Sequence, residues 1–160
     1  MLTITPAVSA DVPTILHLIQ SLADYEKLSH EVIATEDSLR AALFGDQLGA
    51  ECLIARENGE PVGFALYFHN FSTFLSRRGL YLEDLFIEPA HRGKGYGKAL
   101  LQQLAQIAVA RGCGRLEWSV LDWNAPAIGF YQSLGAKLMS DWRIFRLTGE
   151  ALQTFAAASR

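Results

Sequence analysis

GLYLEDLFIEPAHRGKGYG, from Gly79 to Gly97, decides how the rest of the chain is read. Leu80–Ile87 is an apolar strand interrupted by two carboxylates, Glu83 and Asp84. A short turn with Pro89 follows, and then Arg92 with Gly93, Gly95 and Gly97 opens a helix. A helix start leaves its first backbone N–H groups without partners and carries the positive end of the helix dipole, so it suits an anion. Glycines let that backbone approach the anion closely, and Arg92 and Lys94 add positive charge. Glu83 and Asp84, a few residues upstream, can handle a proton or a cation. The stretch points to an anionic cofactor beside an acid–base strand.

Working outward, Leu100, Leu101, Leu104, Ile107 and Ala108 recur at helical spacing, and Gly112 stops that helix just past Arg111. Upstream, Glu51–Arg56 and Pro61–His69 read as strands joined by a tight turn at Asn58–Gly59. Asn70–Arg78 then reads as a loop holding Phe71 and Phe74. Leu2–Thr5 is a short alternating strand. Ser9 caps a first helix that ends near Tyr25 and Glu26, and Thr35 caps a second that stops at Gly45. Downstream, Arg115–Leu121 is a strand, and Asn124 caps a helix with Pro126 in its first turn and Gly135 at its end. Two last strands are expected near Ala136–Met139 and Arg143–Leu147, then a helix over Glu150–Ala158. This order predicts one mixed α/β domain spanning residues 1–160, with no internal repeat.

Composition narrows the class. The chain has 160 residues, half of them hydrophobic and 19% charged, which suits a packed domain rather than a disordered one. No apolar run reaches the ~20 residues a membrane span needs, and the N-terminal stretch has no signal-peptide pattern. Cys52 and Cys113 lack metal-ligand spacing and read as free thiols, which predicts a cytoplasmic protein. The four histidines show no paired metal spacing, so no metal is expected. Residues 1–90 hold 13 acids and 5 bases, a net −8; residues 91–160 hold 4 acids and 9 bases, a net +5; together they give the −3 of the chain. That split suits a cationic ligand on the first half and an anionic one on the second. The basic residues form no dense cluster, and the pI is near 5.8, so nucleic acid is not an expected partner.

The glycine stretch is neither of its common lookalikes. A dinucleotide fingerprint begun at Gly93 and Gly95 would need glycine at Lys98; begun at Gly95 and Gly97, it would need glycine at Leu100. A phosphate loop ending at Gly97–Lys98 would need Ser or Thr at Ala99 and glycine at Arg92. What remains is Arg-x-x-Gly-x-Gly after a strand and before a long helix, and this resembles the acyl-CoA signature of the GNAT superfamily of N-acetyltransferases. LDWNAPAIGFYQSLGA, Leu121 to Ala136, resembles that superfamily's second half-site. LADYE at Leu22–Glu26, VGFALYF at Val62–Phe68, YLEDLFI at Tyr81–Ile87, LDWN at Leu121–Asn124 and DWRIFRL at Asp141–Leu147 are similar to the spermidine/spermine and thialysine acetyltransferase group.

The resemblance implies a mixed, mainly antiparallel central sheet flanked by helices, with acetyl-CoA as cosubstrate. Backbone groups of Leu85, Phe86 and Ile87 would pair with the pantetheine arm as another strand would. The amides of Gly93, Lys94, Gly95, Tyr96 and Gly97 would cradle the pyrophosphate with Arg92 or Lys98 nearby, while Asn124, Pro126 and Ala127 would belong to the cosubstrate side. A backbone N–H near Leu85 would face the developing oxyanion. An acceptor amine of pKa about 10 must first lose a proton. Glu83 is the candidate base, through a water, and Tyr131 the candidate acid for the departing thiolate. Tyr25, Glu26, Glu83 and Asp84 would contact the acceptor, a small-molecule amine. In a regular strand Glu83 and Asp84 point to opposite faces, so only one of them lines a given wall.

Arg77 and Arg78 would repel a polycation if they faced the acceptor channel, and would suit a zwitterionic amine such as thialysine. The resemblance and the apolar stretch Trp142–Leu147 also imply a homodimer. A non-catalytic acyl-CoA sensor and a protein or peptide N-acetyltransferase remain open beside the small-amine enzyme.

Overall fold

The structure, a computed structural model, describes residues Met1–Ser159. Five strands lie in chain order across one sheet: β1 (Leu2–Pro6), β2 (Glu51–Glu57), β3 (Glu60–Ser72), β4 (Arg77–Ile87) and β5 (Leu116–Trp118). Successive strands are antiparallel except β5, which runs parallel to β4. The helices are α1 (Val12–Tyr25), α2 (Glu36–Phe44), α3 (Tyr96–Ala110), α4 (Ala125–Ser133) and α5 (Gly149–Ala157). The chain divides into two compact units, Met1–Ser119 and Val120–Arg160.

In the first unit the local signals fold as their chemistry requires. Asn58 and Gly59 both take positive φ (52° and 89°), the backbone of a tight two-residue hairpin turn. Thr35 accepts the Ser38 amide (3.1 Å) and Ser38 Oγ accepts the Thr35 amide (2.9 Å), a reciprocal cap that starts α2. Asp11, rather than Ser9, stands before α1: its carboxylate accepts the Val8 amide and the Arg56 guanidinium, and residues 9–11 form a 3-10 turn. Gly63 is required by close approach, because a Cβ there would lie 2.5 Å from the Phe86 carbonyl oxygen.

The sheet is sandwiched. Ile15 and Leu18 of α1 and Leu43 of α2 pack with Cys52, Ile54, Phe64 and Phe86 on one face. Leu100, Leu101, Leu104 and Ala108 of α3 are buried toward the other. Two expectations differ in this unit. Residues 70–78 are not a loop: β3 runs on to Ser72 and β4 starts at Arg77, pairing Phe71 with Arg78, so only residues 73–76 turn. β5 is short, Leu116–Trp118, because its pairing with β4 ends at Leu82.

In the second unit Asn124 caps α4 through Oδ1, which accepts the Ala127 amide at 3.4 Å, and Gly135 at φ 92° ends it. The two strands expected at Ala136–Met139 and Arg143–Leu147 do not form; residues 136–148 are irregular, with a turn at 140–141. Apolar alternation gives a segment two faces, but a strand also needs a neighbour to take its backbone hydrogen bonds, and no ladder pair is made here among the described residues.

Candidate active site

β4 is the element that builds the site, and it does so through an irregularity. Phe64, Ala65 and Leu66 of β3 face Phe86, Leu85 and Asp84, whereas the next β3 residue, Tyr67, faces Leu82. Glu83 is therefore the extra residue of a β-bulge. The bulge exchanges the faces of the strand. Asp84 and Phe86 share the α1 face with Leu66 and Phe64, while Leu82, two residues before Asp84, pairs with Tyr67 on the α3 face. Opposite-face geometry for Glu83 and Asp84, expected of a regular strand, thus does not apply. Glu83 is exposed on the bulge and Asp84 is half-buried behind it.

The end of α1 meets this point. Asp84 has its carboxyl pushed up to about 6, first by burial and then by the negative charges of Glu83 and Glu26. Glu26, just past the end of α1, is also raised, by burial. Glu83 and Glu26 thus both act on Asp84 where α1 ends against β4, and a cation placed beside Asp84 would relieve both the repulsion and the desolvation. Tyr25, the neighbouring residue, lies under the Arg92 guanidinium, 4.6 Å from the ring centroid, and Phe86 lies 5.3 Å from the same guanidinium. Arg92 Nε also donates to the Ile87 carbonyl at 2.9 Å. Tyr25, Glu26, Glu83, Asp84, Phe86 and Arg92, all singled out from the sequence, are brought together.

Arg77 and Arg78 are not part of this group. They begin β4, and Arg78 lies six residues from Asp84, about 20 Å along the strand. Its charge is felt by Glu51 and His69 at the other end. The condition that these arginines face the acidic group is not met, and the cation nearest Tyr25 at the end of α1 is Arg92.

The backbone beyond the bulge has the form an acyl-CoA needs. Glu88 donates its amide to Val62 at 2.8 Å, so alternate residues of β4 turn their hydrogen bonds toward β3, and those of Leu85 and Ile87 point to the opposite edge. β5 pairs only with Leu80, Tyr81 and Leu82, which leaves that edge of residues 83–87 without a ladder partner among the described residues. The Ile87 carbonyl is taken by Arg92; the Leu85 amide and carbonyl and the Ile87 amide remain for an added strand. Gly93 and Gly95 hold φ values of 78° and 81°, and a Cβ on either would meet nothing within 4 Å. The glycines thus serve the backbone shape and leave space above it. Gly95 stands before α3 with no side-chain cap, so the first-turn amides of Tyr96, Gly97 and Lys98 face outward beside the Lys98 side chain. These residues fit a pyrophosphate with its attached arm.

Lys94 and Tyr96, expected at the phosphate, hold Glu57 at the end of β2: Lys94 Nζ donates at 2.8 Å and the Tyr96 hydroxyl donates to the same oxygen. Glu57 was not legible as a site residue, since it is 34 residues before His91, which bonds its other oxygen. Asn124, Pro126, Ala127 and Tyr131 lie in the second unit. Asn124 caps α4, Pro126 sits in its first turn, and the Tyr131 ring is 5.6 Å from that of Phe130. Among the described residues, no three His, Cys, Asp or Glu side chains are grouped to hold a metal, and no helix is long and apolar enough to cross a membrane.

Known proteins resemble the chain along most of its length. The profile described as the acetyltransferase (GNAT) family matches residues 16–136. A thialysine N-epsilon-acetyltransferase of Bos taurus is 40% identical, with 96% of each chain covered. An L-ornithine N5-acetyltransferase of Arabidopsis thaliana is 34% identical over 92% of this chain and 84% of its own. Among solved structures, an integron cassette protein from the mobile metagenome of V. cholerae superposes with a TM-score of 0.83 at 28% identity, covering 98% of both chains.

Proposed function

The chain belongs to the GNAT family of acetyltransferases and is an acetyl-CoA-dependent N-acetyltransferase, and we propose that its acceptor is the primary amine of a small molecule of the diamine or thialysine kind. The observation that carries this reading is the group Glu26, Glu83 and Asp84, with Asp84 pushed up to about 6 by burial and by its two acidic neighbours. A carboxylate held at such a cost gains most from an ammonium ion that enters beside it. Both relatives named above carry acceptors in their names with a side-chain amine on an amino acid, and that class is favoured here over a polyamine. We propose that residues 1–160 act as one acetyltransferase domain.

Acetyl-CoA supplies an acetyl group activated as a thioester. Leu85 and Ile87 orient its arm through backbone bonds, and the amides of Gly93–Gly97 with Lys98 receive its pyrophosphate. Asp84 and Glu26 hold the acceptor ammonium, and Glu83, exposed on the bulge, takes a proton from it through a water. Freeing an amine of pKa about 10 at pH 7 costs about 4 kcal/mol, which is why a placed base matters. The Leu85 amide, on the open edge, faces the oxygen that gains charge as the amine attacks directly. The family resemblance supports Tyr131 as the acid for the departing sulfur and Asn124, Pro126 and Ala127 as cosubstrate residues.

We place the protein in the cytoplasm, where its two free thiols stay reduced. A homodimer is the proposed assembly, supported by the apolar segment Trp142–Leu147, in which Trp142, Ile144 and Phe145 are 77%, 75% and 98% exposed. The decisive experiment is the initial rate of CoA thiol release with thialysine, ornithine, lysine, spermidine and an N-terminal peptide as acceptors. Saturation by a small amine supports the reading. Transfer to the peptide alone would replace the acceptor class, and CoA binding without transfer to any acceptor would point to a sensor.

A further inference from the structure

Glu57 ends β2 at the tip of the β2–β3 hairpin, and its side chain is only 20% exposed. Its Oε1 accepts from Lys94 Nζ at 2.8 Å and from the Tyr96 hydroxyl, and its Oε2 lies 2.9 Å from His91 Nδ1. The Lys94 and Tyr96 bonds, with that of His91, lower its carboxyl to about 2. An ionised carboxylate only accepts, so Nδ1 of His91 carries the proton toward it. The three donors come from three places along the turn: His91 in the 3-10 segment after β4, Lys94 between Gly93 and Gly95, and Tyr96 at the first position of α3. On the other side of the turn, Arg92 is tied to the Ile87 carbonyl.

A carboxylate beside an anion site is out of place unless it has another task. Here the Lys94 ammonium balances its charge, and both its oxygens are occupied, so its repulsion of an incoming anion is small. What it can supply is shape. Gly93 and Gly95 hold left-handed backbone, and glycine loses more conformational freedom on being fixed than any other residue. A turn fixed before the ligand arrives converts that loss into affinity.

We propose that Glu57 is a positioning residue for acetyl-CoA: through His91, Lys94 and Tyr96 it holds the glycine turn in its anion-receiving shape without touching the cosubstrate. The proposal rests on the reading of Gly93–Gly97 as the pyrophosphate site. Its test is the Kd of CoA, by titration calorimetry, for the wild type and for Glu57→Gln, Lys94→Met, the double variant and Gly95→Val, with steady-state kinetics alongside.

Glu57→Gln presents an amide to the donors and should weaken CoA by about tenfold or more. The KM for acetyl-CoA should rise in step, with kcat at saturation and the amine KM held within about twofold. Because Glu57 acts through Lys94, the double variant should lose no more than the weaker-binding single variant. Glu57→Asp, which keeps the charge but shortens the reach, should behave like Gln and serves if the Gln variant does not fold.

Tighter CoA binding by Glu57→Gln would overturn the proposal and make Glu57 a competitor for Lys94. Unchanged binding in Glu57→Gln with weakened binding in Gly95→Val would overturn the clamp alone. Unchanged binding in both would remove the turn as the pyrophosphate site, and the clamp with it.

Discussion

Replacing Asp84 by Asn should make the protein more stable at neutral pH and poorer with its amine. The carboxyl is raised from 3.8 to about 6 in the folded protein. Folding therefore favours the protonated form, and the sign follows. Below about pH 4 the group is neutral in both folded and unfolded chains and contributes nothing. Between about pH 4 and 6 the unfolded chain ionises first and gains stability, and above about 6 the folded protein bears the full penalty. Two pKa units correspond to an upper bound of about 3 kcal/mol, and partial hydration of this half-buried group reduces the expected figure to about 1–2 kcal/mol. Asn keeps the shape and removes the charge. Urea unfolding at pH 5 and pH 8 should show a stability gain for the variant that grows with pH, while the KM for the amine rises at least about tenfold. A variant equally or less stable than the wild type at pH 8, or a gain no larger there than at pH 5, would refute the electrostatic account. An unchanged amine KM would remove Asp84 from the acceptor site.

Tyr131→Phe should lower kcat by about 100-fold or more while CoA affinity, read by calorimetry, stays the same; undiminished turnover would remove Tyr131 as the acid. Glu83→Gln should move the pH–rate profile upward, since the amine must then lose its proton to bulk solvent, and an unmoved profile would point to another base. Cys52 is buried, with its thiol pushed up to about 12, whereas Cys113 is only half-buried. A chromogenic disulfide should therefore titrate one thiol in the native protein and a second only after unfolding; two fast thiols in the native protein would contradict the packing of β2.

Signals that are local in the chain were legible. Asn58–Gly59 specified the hairpin, Thr35 and Asn124 capped α2 and α4, and the leucine spacing after Gly95 gave α3 its length and buried face. What depends on partners across the sheet was not. The extra residue at Glu83 exists only as a mismatch between β3 and β4, so LEDLF reads as regular alternation until the register is known. The Glu57 bonds to His91, Lys94 and Tyr96 join hairpin and turn across 34 to 39 positions of chain, and no spacing announces them. Phe71 reads as part of a loop from the sequence alone, yet the long β3–β4 ladder pairs it with Arg78. Ala136–Met139 and Arg143–Leu147 read as strands by their composition and make no ladder pair among the described residues.

The bulge at Glu83 sets one residue of β4 outside the pairing count of the β3–β4 ladder, so its backbone shape and its side chain are separate contributions. Any amino acid at position 83 leaves Asp84 and Phe86 on the α1 face, because the offset is a count of backbone units. Deleting that one residue would close the ladder into regular alternation with Phe86 still opposite Phe64, Asp84 opposite Leu66 and Leu82 opposite Tyr67, so it would remove the bulge and keep the faces. Substitutions at Glu83 should therefore cost the side chain's chemistry alone, whereas the single-residue deletion should also cost the bulge's backbone shape while the β3–β4 ladder still pairs. A library that scans deletions as well as substitutions along β4 would read the two demands separately.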